Sequence, residues 1–127
     1  MRWTAGQIAV CLIGVLHLVF MLGELFPWAR PKIMVRVLEK WPQQLNLSDK
    51  QTHFVAMVVH NSGVYNGIVA AGLFASVYAG PGAFPVQVAL LAGGVVAGVF
   101  GAKTLTPLTI GQALLGAIAL GVVVCYR

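Results

Sequence analysis

The sequence predicts an all-α protein, a bundle of four transmembrane helices with an amphipathic helix lying at the interface between helices one and two. Three observations carry that prediction. Hydrophobic residues make up 59% of the 127-residue chain and charged ones only 9%, with a mean hydropathy of +0.89. Soluble domains carry about 25% charged residues, so a soluble domain is excluded. Four apolar runs are each long enough to cross a hydrocarbon core of about 30 Å, which takes roughly 20 helical residues. Six of the eight Lys and Arg side chains fall on one side of those runs.

The first run spans Gln7–Pro27. Its basic start resembles a secretory leader, but no small-residue cleavage site follows a short apolar core. His17 and Glu24 also interrupt its later part, so a retained membrane helix is expected. Pro27 ends it, and Trp28 suits the aromatic belt at a membrane surface. The long connection follows, residues 29–51. In it Ile33, Met34, Val37, Leu38 and Trp41 form one helical stripe, with Lys32, Arg36, Glu39 and Lys40 opposite. That pattern predicts a helix over about 32–41 that lies in the membrane surface or covers the bundle as a lid.

Ser48 and Gln51 in "SDKQ" have capping-box spacing, so the second helix is expected to start near Asp49 and to enter lipid around His53. It runs to Tyr78. "GPGAFP" (Gly80–Pro85) is a tight uncharged turn into the third span, Phe84–Leu105, and "TLTP" (Thr104–Pro107) leads to the fourth, Leu108–Tyr126. Small residues recur at packing intervals: Gly63, Gly67 and Ala71; Gly94 and Gly98; Ala113, Ala117 and Gly121. Such rows let membrane helices approach closely, within a bundle or between subunits of a homo-oligomer.

Arg30, Lys32, Arg36, Lys40, Lys50 and Lys103 lie on the side of the long loop, and only Arg2 and Arg127 lie opposite. The positive-inside rule then places the loop in the cytoplasm and both termini outside. The net charge of +5 is concentrated in this way and forms no nucleic-acid-binding face. Cys11 and Cys125 belong to no CxxC pair and read as small buried hydrophobes.

Within this apolar background stands "HNSGVYNG", His60–Gly67. His17 and Glu24, seven residues apart, share a face of the first helix, and Glu24 is the only acidic residue in any span. A carboxylate inside a membrane helix costs about 2.5–3.5 kcal/mol on insertion scales and usually faces a partner, cavity or pathway. The antiparallel arrangement puts His17, Glu24 and His60 in the cytoplasmic half. A carboxylate beside a histidine fixes its tautomer and raises its basicity. The bland alternatives are a Glu24 that pairs with Arg30 at the membrane surface and a polar stretch that only ties helices together. Asn61 and Tyr65 lie one turn apart, as do Ser62 and Asn66, and cover more than one face. That arc exceeds the need of simple helix glue and points to a pocket.

In that pocket His17 and Glu24 are the protonatable pair and His60 a second base or ligand. Asn61, Ser62 and Asn66 bind and orient, and Tyr65 is a donor. His53 belongs to the water interface. His17, Glu24 and His60 offer two nitrogens and a carboxylate, yet no HExxH or ExxH spacing supports a metal. Only two histidines argue for haem, and the cofactor stays open. Three functions fit: binding and movement of a proton or a small amphipathic or lipid-soluble ligand; a membrane enzyme using His17–Glu24 as base and Tyr65 as acid; or an assembly subunit.

"GVLHLVFMLGELFPW", "HNSGVYNGIVAAGLF" and "VVAGVFGAKTL" together resemble the small bacterial membrane proteins grouped as domain of unknown function thirteen-oh-four. That family pairs a His…Glu first helix with an Asn-x-Gly-x-Tyr-Asn-Gly second helix, here His17, Glu24, Asn61, Gly63, Tyr65, Asn66 and Gly67. Ser62 departs from the expected glutamine, and the cytoplasmic loop is long. The resemblance implies a four-helix protein of the bacterial inner membrane and brings no established activity.

Overall fold

A computed structural model describes residues 3–26, 48–104 and 109–126. Among them are four α-helices: α1 (Ala5–Leu25), α2 (Asp49–Tyr78), α3 (Phe84–Thr104) and α4 (Thr109–Cys125). The expected interfacial helix at 32–41, Pro27–Trp28 and residues 105–107 of the "TLTP" turn lie outside the described residues. Three helical stretches are long and apolar enough to cross a membrane: α1, α2, and α3 with the short turn before it. At 17 residues α4 is a shorter apolar helix.

Helix starts are set by side chains that take up free backbone N–H groups. At α1, Thr4 and Gln7 exchange bonds: Gln7 N–H donates to Thr4 Oγ1 (3.1 Å) and Thr4 N–H to Gln7 Oε1 (3.0 Å). This box moves the start two residues ahead of Gln7. At α2, Ser48 N–H donates to Gln51 Oε1 (2.9 Å) and Gln51 N–H to Ser48 Oγ (3.4 Å), so the helix begins at Asp49. Past the end of α2, Gly80 takes φ 77°, a left-handed conformation that a side chain would strain. A 3₁₀ turn over Gly80–Ala83 then delivers Phe84, whose N–H bonds the Pro81 carbonyl. Pro85 sits in the first turn of α3, where its missing N–H costs nothing.

The chain divides into two compact units, residues 1–16 with 69–127 and residues 17–68, so α1 and α2 contribute to both. The first unit has one core, formed by Val10, Ile13, Leu73, Val77, Leu91, Ala119 and Val123. Its α3–α4 pair is held by small residues. A Cβ added to Gly98 would lie 2.6 Å from the Ala113 backbone nitrogen and 2.9 Å from the Thr109 carbonyl. The backbones therefore touch at a place where only glycine fits. The expected row of Ala113, Ala117 and Gly121 splits: Ala113 is buried, while Ala117 and Gly121 are exposed. The buried stripe of α4 is Ala113, Gly116, Ala119 and Val123, closer to the helical repeat than a strict four-residue step. Away from the cores the helices present large apolar side chains, such as Leu12, Phe54, Phe100 and Ile118, each more than 60% exposed. Water would penalise such a surface and lipid would not.

The Gly98 contact yields a stability test. Gly98→Ala forces a methyl against backbone that cannot rotate away, an overpacking error worth about 1–3 kcal/mol. Gly93→Ala, with nothing within 4 Å of the new Cβ, should change stability by less than about 0.5 kcal/mol. Thermal unfolding of the two variants in the same mild detergent should show a clear loss for the first only.

Candidate functional site

The second unit holds the polar residues. Here α1 contributes His17, Met21, Glu24 and Leu25, spaced so that they recur on one side of the helix. From α2, Gly63, Asn66 and Gly67 come against them. A Cβ on Gly63 would lie 3.0 Å from Leu25 Cγ and 3.2 Å from Glu24 Cβ. One on Gly67 would meet Met21 Sδ at 2.6 Å. These two glycines set the distance between the helices, and that distance places the short side chain of Asn66 within reach of both polar groups of α1.

The Asn66 amide bridges them. His17 Nδ1 lies 2.8 Å from Asn66 Oδ1, and Asn66 Nδ2 donates to Glu24 Oε2, also at 2.8 Å. In this arrangement the imidazole carries its proton on Nδ1 and the carboxylate accepts. His17 is 4% exposed, and its ring stands edge-on to Phe20, with centroids 6.1 Å apart. Asn66 and Glu24 are half-buried. His17 Nε2 has no hydrogen-bond partner among the described residues.

The pair expected from sequence thus reaches the same site by another route. Seven residues of helix rise about 10 Å, too far for His17 and Glu24 to bond each other directly, and the amide fills the gap. Hydrogen bonds to charged groups contribute about 1.5–3 kcal/mol in water-soluble proteins, but polar bonds between membrane helices average nearer 0.6 kcal/mol. Two bonds of the weaker kind do not offset the cost of placing Glu24 in an apolar helix.

The other expected residues divide. His60 lies three residues before Gly63, on the same side of α2, and its Nε2 is buried without a hydrogen-bond partner among the described residues. Asn61 and Ser62 are exposed, and Tyr65 is 62% exposed; none of the three is hydrogen-bonded to His17, Asn66 or Glu24. The wide polar arc of α2 therefore has a half-buried edge, His60 and Asn66, and an exposed one. His53 is exposed. Among the described residues, no three His, Cys, Asp or Glu side chains gather as a metal site would require, and His17, Glu24 and His60 do not converge in that way. Met21, Phe20 and Leu25 were not singled out from sequence; their only signal was a place on the His17–Glu24 side of α1.

No curated protein and no solved structure matches the chain. The sequence model of one family, described as "Protein of unknown function (DUF1304)", matches residues 11–124, which include every residue of the His17–Asn66–Glu24 bridge. The chain belongs to that family.

Proposed function

We propose that this chain is a multi-pass protein of the bacterial inner membrane that binds a small amphipathic or lipid-soluble ligand and couples its movement, or that of a proton, to the protonation of Glu24. The observation that carries the reading is the His17–Asn66–Glu24 chain of bonds. It joins two titratable groups by 2.8 Å contacts inside two helices that are long and apolar enough to span a membrane. Such groups cost stability there and are retained most often on ligand or proton pathways. In this reading α4 also crosses, since 17 residues lie at the lower limit of a spanning length. The termini face outward and the long loop faces the cytoplasm, following the bias of basic residues. His60, whose Nε2 has no hydrogen-bond partner among the described residues, is a second ligand-binding group in this reading. Asn61, Ser62 and Tyr65 offer further hydrogen bonds on the exposed side of α2, toward ligand or toward a second copy in a homo-oligomer.

The enzyme reading keeps His17 and Glu24 as its base but needs Tyr65 as the acid beside them. The exposure of Tyr65 and its lack of a bond to the bridge favour binding and movement over catalysis.

Orientation is checked with Gln43→Cys in a chain whose Cys11 and Cys125 are replaced by alanine. An impermeant thiol reagent should label it only from the cytoplasmic side, and labelling of intact cells from outside would reverse the topology. Function separates through Glu24→Gln and Tyr65→Phe. In proteoliposomes carrying a pH-sensitive dye, Glu24→Gln should abolish proton exchange, and Tyr65→Phe should leave it within about twofold. An enzyme would instead lose roughly 10²–10⁴-fold in turnover with either change, the usual worth of acid–base assistance. Exchange unaffected by Glu24→Gln would reduce the bridge to a structural tie.

A further inference from the structure

The two ends of a carboxamide have nearly the same shape and opposite hydrogen-bonding character, one accepting and the other donating. Asn66 therefore fits between His17 and Glu24 in two ways, related by a half-turn of its amide. In the first, Oδ1 accepts from His17 Nδ1–H and Nδ2 donates to an ionised Glu24, as the 2.8 Å contacts are arranged. In the second, Nδ2 donates to a bare His17 Nδ1 and Oδ1 accepts from a protonated Glu24. With a neutral imidazole, mixed arrangements set donor against donor or lone pair against lone pair and leave a polar group of this half-buried site without its bond.

We propose that Asn66 is a two-position amide switch that ties the protonation of Glu24 to the tautomer of His17, and so reverses what His17 Nε2 presents to a ligand. While Glu24 is ionised, the imidazole proton sits on Nδ1 and Nε2 is an acceptor. When Glu24 takes a proton from water, the amide turns, Nδ1 loses its proton to solvent and Nε2 gains one. The net change is the uptake of one proton, carried on Glu24. Nε2 is then a donor.

This deepens the function proposed above and rests on it for its consequence: the ligand class. Nε2 of His17 has no hydrogen-bond partner among the described residues, so in this proposal it is the atom that meets the ligand. A small ligand whose contacting group can only donate, such as an ammonium or amide N–H, is held in the ionised state. Protonation of Glu24 turns donor against donor and ejects it. The remaining described titratable groups of this unit are Asp49, Lys50, His53, His60 and Tyr65, all on α2, and none is hydrogen-bonded to the bridge. On α1 the unit has only His17 and Glu24.

The test uses the full chain in lipid nanodiscs, labelled with ¹⁵N-histidine. Nitrogen NMR distinguishes the Nδ1–H tautomer, the Nε2–H tautomer and the imidazolium, while infrared spectroscopy follows the carboxylic acid band that Glu24→Gln removes. On acidification, the Nδ1–H signal of His17 should give way to Nε2–H in step with the rise of the Glu24 acid band. In Asn66→Leu, or in Asn66→Ser should the first not fold, the two events should no longer coincide. Two results overturn the switch: an imidazolium on His17 while Glu24 stays ionised, or a tautomer that ignores Glu24 in the unaltered chain. Proton exchange in proteoliposomes separates the two ideas. A failed tautomer test with exchange still abolished by Glu24→Gln removes the switch and leaves the function standing. A coupled tautomer with exchange indifferent to Glu24→Gln does the reverse.

Discussion

An ionisable carboxylate in an apolar helix is the constraint from which the meeting of α1 and α2 over residues 17–26 and 48–68 follows. Glu24 needs a donor, and nothing else on its own helix supplies one within reach. The donor comes from α2, and a side chain as short as asparagine can serve only if the two helices nearly touch. Gly63 and Gly67 allow that approach, and Met21 and Leu25 close over the two glycines. A side chain at either position would press on Met21 or on Leu25 and Glu24, the α1 residues beside the bridge. The site is thus specified as much by two absent side chains as by the three that bond.

The rest of the chain solves a different problem with the same tool. Residues 69–127 with the start of α1 have an apolar core, and there glycine serves packing alone. At Gly98 the α3 backbone lies against that of α4, and at Gly14 an added Cβ would meet the Phe74 ring at 2.9 Å. Lipid offers no hydrophobic gain for bringing helices together, so close packing has to supply it. Two kinds of glycine, one admitting a ring or a backbone and one admitting a hydrogen bond, look alike in the sequence.

That likeness explains what could be read in advance. The four helices followed from apolar runs against sparse charge, and the start of α2 from the spacing of Ser48 and Gln51. The cap at Thr4 and Gln7 carried an equivalent signal that the apolar pattern overshadowed. His17, Glu24 and Asn66 stood out because polar groups are rare in such segments. Their connection did not, since Asn66 is 49 residues from His17 and 42 from Glu24 along the chain. A helical repeat shows which residues share a face but not which residue of a second helix meets them at a given height. For the same reason the arc of α2 could not be divided into its more and less exposed edges, and of Ala113, Ala117 and Gly121 only Ala113 is buried within this chain.

The length of α2 has a mechanical consequence. Thirty residues rise about 45 Å, against a hydrocarbon thickness of about 30 Å. Its charged side chains, Asp49 and Lys50, are confined to the first turn, and Tyr78 closes the other end. Some ten residues of helix are therefore surplus to a perpendicular crossing. In a thicker bilayer α2 can draw more of that surplus inward without dragging a charge through lipid, and in a thinner one it can extend further into water. The 21 residues of α1 rise about 32 Å and leave no such reserve. Membrane thickness would thus be felt through α1, the helix that carries both His17 and Glu24.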